Sequence, residues 1–394
     1  MIYLDNSATT RQYDEVTELM YRAAKETFGN PSSLHAAGFE AAKLIKNARM
    51  QVAELLPKSG QTIFTSGGTE SDNMALLSGA TKLKRNGKKI ITTSVEHPAV
   101  SETCKRLAQR GYEVVSLAVD GSGCISSGEL EATLSEDTIL VSVMCVNNET
   151  GAIQPVTEIA EIIRRYNKSK GTEIAFHTDA VQAYGKLDLT DCKADLISLS
   201  AHKFHGPKGV GAIYIKDGLK LSPFITGGGQ EKGLRSSTEN TTGIVGMGLA
   251  AEMSSRDMDA KLRRIAEVSE YLREGITSEI SDVRINGPVG IGFSLSDAGT
   301  RCPSVLNLTF EGTRGEVLLH TLEQDEIYVS TGSACSSNHP EESPVLKAMG
   351  LSPKQIEGAI RFSFSEFNIK EEMDIVIDRV KTAVERFRKL GSYQ

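Results

Sequence analysis

Long apolar runs and clusters of basic residues are both missing from this sequence of 394 residues. No segment approaches the roughly 20 apolar residues that span a bilayer, so we expect no membrane association. The formal net charge is −7. This balance argues against nucleic acid or an anionic membrane as the main partner, because both select basic surfaces. The N-terminus has no basic segment followed by an apolar one, so we expect a cytoplasmic location.

Metal-binding and disulfide patterns are missing as well. The six cysteines form no C-x-x-C pair and no other metal spacing, which argues against a zinc site or a disulfide framework. We therefore expect no metal site. Tryptophan is absent too, but 39% apolar and 24% charged residues are typical of a globular protein. Five cysteines are expected to be small core residues: Cys104, Cys124, Cys145, Cys192 and Cys302.

From residue 61 onward, predicted strands alternate with predicted helices. Such alternation predicts βαβ units and an α/β fold with a largely parallel sheet that is covered on both faces. Ligands bind at the carboxyl ends of the strands in such sheets, so polar residues that follow the strands should meet in one crevice. The predicted strands are 61–65, 89–94, 112–119, 139–146 and 173–179, and the helices between them begin at Thr69, His97, about 126 and Pro155.

A long helical stretch at 243–279 is expected to connect two domains. Beyond it, short strands, a helix from Gly315 and a final amphipathic helix from 370 to about 389 predict a smaller α+β unit. The first dozen residues are too few to form a domain and should pack against that unit. The sequence therefore predicts a large domain at 15–260 and a small domain formed by 1–14 with 261–394.

Two short segments, H-T-D-A-V-Q at 177–182 and S-L-S-A-H-K at 198–203, turn polar at the ends of predicted buried strands. Asp179 and Lys203 are the acid and the amine that a pyridoxal phosphate (PLP) site needs. Either residue alone would suit an ordinary strand end facing water. The neighbours Ser200 and His202, with the glycine-rich turn at 206–211, favour the cofactor site because they offer donors for a phosphate.

Three further turns offer candidate site residues. In T-S-G-G-T-E-S-D-N at 65–73, Gly68 and Thr69 suit an anion cradle at a helix N-terminus, and a plain capping box with Asp72 is the alternative. His97 lies at the next strand-to-helix turn, where an imidazole could cover a planar cofactor and move protons, and a structural histidine is the alternative. Asn148, in V-N-N-E-T-G, offers a neutral hydrogen-bonding group, and an ordinary turn is its alternative.

The second half of the chain adds three candidates. The glycine-rich loop at 227–240 is either a flexible surface loop or a phosphate-binding loop with Thr238 among its donors. The second alternative includes phosphate binding across a subunit boundary. Cys335, in V-S-T-G-S-A-C-S-S-N, is surrounded by small residues, which favours a nucleophile over a core cysteine. Arg361 lies inside the apolar strand I-R-F-S-F and needs an anion, either a structural carboxylate or a substrate carboxylate.

Ten motifs, in order along nearly the whole chain, resemble those of the cysteine desulfurases that supply iron-sulfur cluster assembly. These enzymes belong to the class-V aminotransferases. The resemblance implies PLP-dependent transferase fold type I, with a large domain built on a mainly parallel seven-stranded sheet and a smaller α+β domain. It also implies a homodimer with its sites at the subunit interface. The motifs are Y-L-D-N-S-A-T-T, F-G-N-P-S-S, T-S-G-G-T-E-S-D-N, E-H-P-A-V, V-N-N-E-T-G, H-T-D-A-V-Q, S-A-H-K-F-H-G-P-K-G, G-G-G-Q-E-K-G-L-R-S, S-T-G-S-A-C-S-S and I-R-F-S.

The resemblance also implies roles for single residues. Lys203 would hold the cofactor aldehyde, Asp179 would pair with the ring nitrogen, and His97 would stack on the ring as acid and base. Asn148 and Arg361 would orient L-cysteine, and Cys335 would take its sulfur as a persulfide. The remaining cofactor contacts would come from Gln182 at the ring hydroxyl and, at the phosphate, from Gly68, Thr69, Ser200, His202 and the neighbouring subunit's Thr238.

Sulfur would then pass to an acceptor protein, which the resemblance leaves open between a cluster scaffold, a tRNA-thiolating enzyme and a dedicated client enzyme. Two alternatives to a desulfurase stay open. One is another fold-type-I enzyme, an aminotransferase or a lyase, that uses Asp179 and Lys203 without a cysteine nucleophile. The other is a non-catalytic PLP-binding or sulfur-carrier protein. The position of Cys335 among small residues favours the desulfurase.

Overall fold

A computed structural model describes residues 1–331 and 342–391. Twelve strands lie in these residues, and each strand predicted from the sequence is among them. They are β1 (Ile2–Tyr3), β2 (Gly60–Thr65), β3 (Lys89–Thr93), β4 (Glu113–Leu117), β5 (Thr138–Ser142), β6 (Ala175–Asp179), β7 (Leu196–Ser200), β8 (Gly211–Lys216), β9 (Val283–Ile285), β10 (Val305–Phe310), β11 (Ile327–Tyr328) and β12 (Ala359–Ser363).

Thirteen α-helices lie in the same residues, and none of them is long and apolar enough to cross a membrane. They are α1 (Asp14–Glu26), α2 (Ala36–Ala53), α3 (Gly68–Asn73), α4 (Gly79–Leu83), α5 (Pro98–Gln109), α6 (Ser127–Thr133), α7 (Val156–Lys170), α8 (Thr241–Ser255), α9 (Met258–Glu279), α10 (Gly315–Gln324), α11 (Pro344–Ala348), α12 (Pro353–Glu357) and α13 (Lys370–Gly391). A π-helical turn, Met74–Ser78, joins α3 to α4.

Seven strands form the central sheet, in the order β2-β8-β7-β6-β5-β3-β4. The five strands from β7 to β4 are parallel, whereas β8 pairs antiparallel with both β7 and β2. Strands β5, β6 and β7 are buried along their whole length, as expected for a sheet covered on both faces. The predicted α/β fold with a mainly parallel seven-stranded sheet is confirmed.

A second hydrophobic core lies in the C-terminal part of the chain. It surrounds the sheet β12-β10-β9 and includes Leu272, Phe310, Phe362 and Val380. The N-terminal segment joins this core, because β1 pairs parallel with β11, and Ile2 and Leu4 are buried in it. This packing supports the division into 15–260 and 1–14 with 261–394, which stays a prediction.

The helical stretch expected at 243–279 is two helices rather than one. Helix α8 ends at Ser255 and α9 begins at Met258. Asp257 lies between them with φ 51°, a left-handed conformation that ends a right-handed helix and that Asp adopts more readily than most residues. Periodicity alone cannot reveal such a break, because the apolar pattern continues on both sides of it.

Candidate functional site

A cavity of about 210 Å³ lies at the carboxyl ends of the central strands. A second cavity adjoins it at the turn between β2 and α3. The strand-end rule therefore placed the crevice correctly. The first cavity is lined by most of the predicted site residues, namely Gly68, Thr69, His97, Asn148, Asp179, Gln182, Ser200, His202, Lys203 and Arg361.

The amine of Lys203 lies in this cavity, in a single 3₁₀ turn (Ala201–Lys203) that follows β7. Its Nζ donates to the carbonyl oxygens of Ser7 at 2.5 Å and Ala8 at 2.8 Å. The N-terminal segment after β1 therefore forms one wall of the site. Sequence reasoning missed this role, although the segment carries the polar motif D-N-S-A-T-T at 5–10.

The carboxyl group of Asp179 ends β6 and is 5% exposed. Its Oδ1 accepts a hydrogen bond from the backbone N–H of Val181 at 2.9 Å. Burial raises the pKa of this carboxyl group, and the negative charge of Asp72 raises it further. A buried carboxyl group with a raised pKa is stabilised as an anion by a nearby cation. A protonated ring nitrogen would supply that cation.

A second buried acid, Asp72, lines the same cavity and was considered from the sequence only as part of a cap. Burial raises the pKa of Asp72 to about 7. Its Oδ1 lies 3.5 Å from Nε2 of His177. That imidazole bridges two hydroxyl groups, Ser142 at 2.8 Å and Ser198 at 2.9 Å, and burial lowers its pKa to about 4. Asp72, His177 and the two hydroxyl groups therefore form a buried polar network next to the cavity.

The predicted anion cradle is formed where β2 turns into α3. The helix begins at Gly68, and its N-cap residue Gly67 has no side-chain cap, so the alternative of a capping box from Thr69 to Asp72 is wrong. A Cβ atom at Gly68 would lie 2.8 Å from Cγ2 of Val181, so only glycine fits without displacing it. The backbone N–H groups of Ser66 and Gly67 are bound by the side chains of Glu70 and Thr65, so the N–H groups open to an anion are those at the start of α3.

Two more phosphate candidates, Ser200 and His202, line both cavities. Burial, together with the charges of Lys203 and Lys208, lowers the pKa of His202 to about 4. The imidazole is therefore neutral near pH 7, and it can donate one hydrogen bond. Its Nδ1 lies 3.2 Å from the Thr9 hydroxyl, which again ties the site to the N-terminal segment.

The imidazole of His97 caps the N-terminus of α5. Its Nδ1 accepts from the backbone N–H of Ala99 at 3.1 Å, with Pro98 in the first helical turn. The neutral ring therefore carries its hydrogen on Nε2. Burial lowers the pKa of His97, although the nearby Asp179 acts in the opposite direction. A neutral ring with Nε2–H available is suited to exchange protons in the cavity.

The side-chain amide of Gln182 has a fixed orientation. Its Oε1 accepts from Nζ of Lys186 at 3.1 Å, and its Nε2 donates to the carbonyl oxygen of Ser7 at 2.9 Å. Because a lysine can only donate, Oε1 must face Lys186. The nitrogen therefore faces the N-terminal wall of the cavity, which agrees with a donor for a ring oxygen.

The guanidinium of Arg361 lies in β12 and is 2% exposed. Its Nη2 pairs with Oδ1 of Asp5 at 2.9 Å, and its Nη1 donates to the carbonyl oxygen of Asn148 at 3.1 Å. Of the two anions considered from the sequence, a structural carboxylate is therefore present. Because the guanidinium also lines the cavity, a substrate carboxylate stays within its reach.

Two predicted site residues are not brought into the cavity. Cys335 lies outside the described residues. Thr238 is exposed and does not line the described cavity of its own chain, so its role at a neighbouring subunit stays a prediction. The loop that carries it is firmly attached, because Arg49 forms a bidentate pair with Glu231, both contacts 2.7 Å long, and Arg235 pairs with Glu70 at 2.8 Å.

The residues present fit PLP by their chemistry. The donors suited to a phosphate, around Gly68, Thr69, Ser200 and His202, lie where the two cavities adjoin. The buried acid, the amine and the guanidinium line the first cavity. The other five cysteines, at 104, 124, 145, 192 and 302, are buried, as predicted, and none of them lines either cavity.

Comparisons with known proteins identify one family. A family model described as aminotransferase class-V matches residues 2–376. The cysteine desulfurase IscS of Dictyoglomus turgidum is 42% identical over 396 residues, covering 100% of this chain and 97% of that protein. A NifS-like protein has a TM-score of 0.88 at 38% identity, over 98% of this chain and 99% of that one.

A further solved structure, titled SspA in complex with cysteine, has a TM-score of 0.78 at 33% identity. It covers 94% of this chain and 100% of the other. The matches thus extend over nearly the whole chain, in the family model, in relatives and in solved structures alike. The chain belongs to the class-V aminotransferase family, among its cysteine desulfurases.

Proposed function

We propose that this protein uses PLP to convert L-cysteine to L-alanine and carries the sulfur away as a persulfide on Cys335. The observation that carries the proposal is the meeting of Lys203, Asp179 and Arg361 in one cavity. An amine suits the cofactor aldehyde, an acid suits the ring nitrogen, and a guanidinium suits the carboxylate of an amino acid. Full-length relatives named cysteine desulfurase support the same reaction.

When bound, PLP supplies an electron sink that weakens bonds at the carbon atoms of the substrate. Arg361 and Asn148 hold the substrate carboxylate at one side of the cavity. The Nζ atom of Lys203, kept at the cavity wall by the Ser7 and Ala8 carbonyl groups, removes the α-proton. His97, through Nε2, moves a proton at the face of the site that it covers.

Cys335 acts in the sulfur-transfer step. Its thiolate attacks the substrate sulfur, an S–S bond forms, and the bond between that sulfur and Cβ breaks with its electron pair left on the carbon side. Protonation of that carbon yields alanine, so L-cysteine and the enzyme thiol become L-alanine and an enzyme persulfide. The reaction needs no external oxidant or reductant.

The proposal extends to partners and location. The protein would be a cytoplasmic homodimer in which Thr238 completes the phosphate site of the neighbouring subunit, and an acceptor protein would take the persulfide for cluster, thio-cofactor or tRNA synthesis. Two observations support the dimer. Thr238 is exposed on a firmly attached loop, and large apolar side chains lie exposed between Tyr21 and Met50.

The test compares Cys335→Ala with Cys104→Ala, a buried cysteine outside the site. Both variants should bind PLP and give the wild-type absorption spectrum with L-cysteine, because Lys203, Asp179 and Arg361 are intact. Release of sulfide and alanine should collapse in Cys335→Ala only, and the trapped persulfide should map to Cys335. Near-normal desulfuration by Cys335→Ala would favour a lyase that uses no cysteine nucleophile.

A further inference from the structure

The guanidinium of Arg361 is already held by two groups of its own chain. Nη2 pairs with Oδ1 of Asp5, and Nη1 donates to the carbonyl oxygen of Asn148. The Nε atom is buried and has no hydrogen-bond partner in residues 1–331 and 342–391. The plane of the guanidinium is therefore fixed from two sides by groups of the chain itself, which leave only Nε without a partner among the described residues.

The position of Asp5 is imposed by the backbone around it. Asp5 forms a parallel bridge with Ser363, two residues after Arg361 on β12. The next two residues reinforce the bridge, because Asn6 Nδ2 donates to the carbonyl oxygen of Ser363 and the Ser7 backbone N–H donates to its hydroxyl, both at 2.9 Å. The carboxylate is thus held against the guanidinium by the fold and not by a mobile side chain alone.

Asp5 contacts the guanidinium from outside the cavity. Ser7 and Ala8 line the cavity, whereas Asp5 is not among its described lining residues. A carboxylate that binds in the cavity can therefore meet Arg361 while Asp5 stays in place. The two carboxylates would then share one buried guanidinium, and two like charges beside one cation oppose each other.

We propose that Asp5 is a positioning residue that sets the affinity of the cavity for the carboxylate of an amino acid. It orients Arg361, and it offsets part of the charge that attracts the ligand. The inference rests on the proposed function in so far as the ligand is an amino acid. The product alanine carries the same carboxylate as the substrate, so a moderated affinity also favours product release.

The experiment measures the binding of L-alanine and of ethylamine to the PLP-loaded enzyme, by titration of the cofactor absorbance. Ethylamine has the amine and lacks the carboxylate. Asp5→Asn keeps an oxygen acceptor for Nη2 and removes the charge, so alanine should bind about tenfold more tightly. Asp5→Ala also removes the acceptor, and alanine should bind at least several-fold more weakly than in Asp5→Asn. Ethylamine should bind alike in all forms.

Two further variants separate charge from structure. Asp5→Glu keeps the charge and should not tighten alanine binding. If Asp5→Asn folds poorly, tighter alanine binding by Asp5→Glu would still contradict the proposal. Asp14→Asn removes an exposed carboxylate that pairs with Arg11 and lines neither cavity, and it should change nothing. Equal changes for alanine and ethylamine, or no change in Asp5→Asn, would overturn the proposal.

The outcome is independent of the desulfurase reaction itself. A wild-type enzyme that binds alanine but releases no sulfide from L-cysteine would refute the proposed function, and the Asp5 comparison would still be decided by the alanine and ethylamine titrations. Conversely, a fully active desulfurase whose Asp5→Asn variant binds both ligands as the wild type does would refute only the role of Asp5.

Discussion

Lys203 is the amine that we propose for the cofactor aldehyde, and Lys208, a few residues away, is a matched control. Lys203 lines the first cavity and donates hydrogen bonds to its N-terminal wall, whereas Lys208 lines only the adjoining cavity. Lys203→Ala should therefore lose the yellow colour of the cofactor, and Lys208→Ala should keep it. After borohydride reduction, mass spectrometry should find the cofactor on Lys203. An adduct on Lys208 would show that the assignment is wrong.

Glu96 is a buried carboxyl group that does not line the cavity. One oxygen of Glu96 accepts from the Met144 backbone N–H at 2.9 Å and from the Thr93 hydroxyl at 2.8 Å, and the other has no described partner. Burial raises its pKa from 4.5 to about 8. Burying the ionised form therefore costs stability.

The stability of the protein should fall as Glu96 ionises. Because the pKa is higher in the folded state, the contribution of Glu96 to stability is complete below about pH 4 and is lost as the pH rises through about 8. Glu96→Gln keeps the accepting oxygen and cannot ionise. Relative to the wild type, the cofactor-free variant should gain on the order of 2 kcal/mol between pH 6 and pH 9. If the difference in stability between the variant and the wild type were the same at pH 6 and at pH 9, this assignment would be wrong.

At the scale of elements, the site depends on how closely β8 approaches the anion turn. Gly211 begins β8 and pairs with Ser200 at the end of β7. A Cβ atom at Gly211 would lie 2.5 Å from the carbonyl oxygen of Leu199 and 2.7 Å from the backbone of Gly67. Neither backbone can yield without moving the strand end or the turn.

Gly211→Ala should therefore weaken PLP binding by about tenfold or more and destabilise the protein by about 1–3 kcal/mol. The measurements are equilibrium titration of the cofactor-free protein with PLP, and thermal melting. Gly121→Ala is the control, because a Cβ atom there would meet nothing within 4 Å, and it should change stability by no more than about 0.5 kcal/mol. Wild-type PLP affinity in Gly211→Ala would show that the turn does not bind the phosphate.

The elements also explain which site residues were predictable. Asp179, Lys203 and His97 follow strands whose apolar runs are visible in the sequence, and a parallel sheet brings such strand ends together. Asp72 was considered only as a cap, because a local pattern of small and polar residues after a strand suits a capped helix as well as a site. Its burial against His177 arises from the packing of α3 on the sheet, over a long sequence separation.

At the scale of the whole molecule, we propose that the exposed apolar side chains near the start of α2 are the surface of the predicted homodimer. Leu34, two residues before α2, is fully exposed, and Phe39, in the first turn of α2, is 66% exposed. The double variant Leu34→Asp with Phe39→Asp should be monomeric by light scattering, and it should bind PLP more weakly because Thr238 of the second copy would be missing. Ile375→Asp, at an exposed apolar position of α13, should stay dimeric.

Two results would contradict this view of the dimer. A double variant that stays dimeric would show that residues 34–39 lie outside the interface. A monomeric variant with full PLP affinity would show that each site is complete within one chain, and Thr238 would then have no role at the phosphate. The two measurements thus separate the location of the interface from the sharing of the site.

The sequence by itself determined the alternation of strands and helices, the edge of the sheet that carries the site, and most of its side chains, since these follow from local periodicity and from the rule for parallel sheets. Only the tertiary structure decided that Ser7 and Ala8 form a wall of that site and that Asp5 contacts Arg361 from outside it. Their contacts depend on β1 pairing with β11 and on the bridge to Ser363, across more than 320 residues. A two-residue strand has no periodicity, so its partner is chosen by the folded core and not by local pattern.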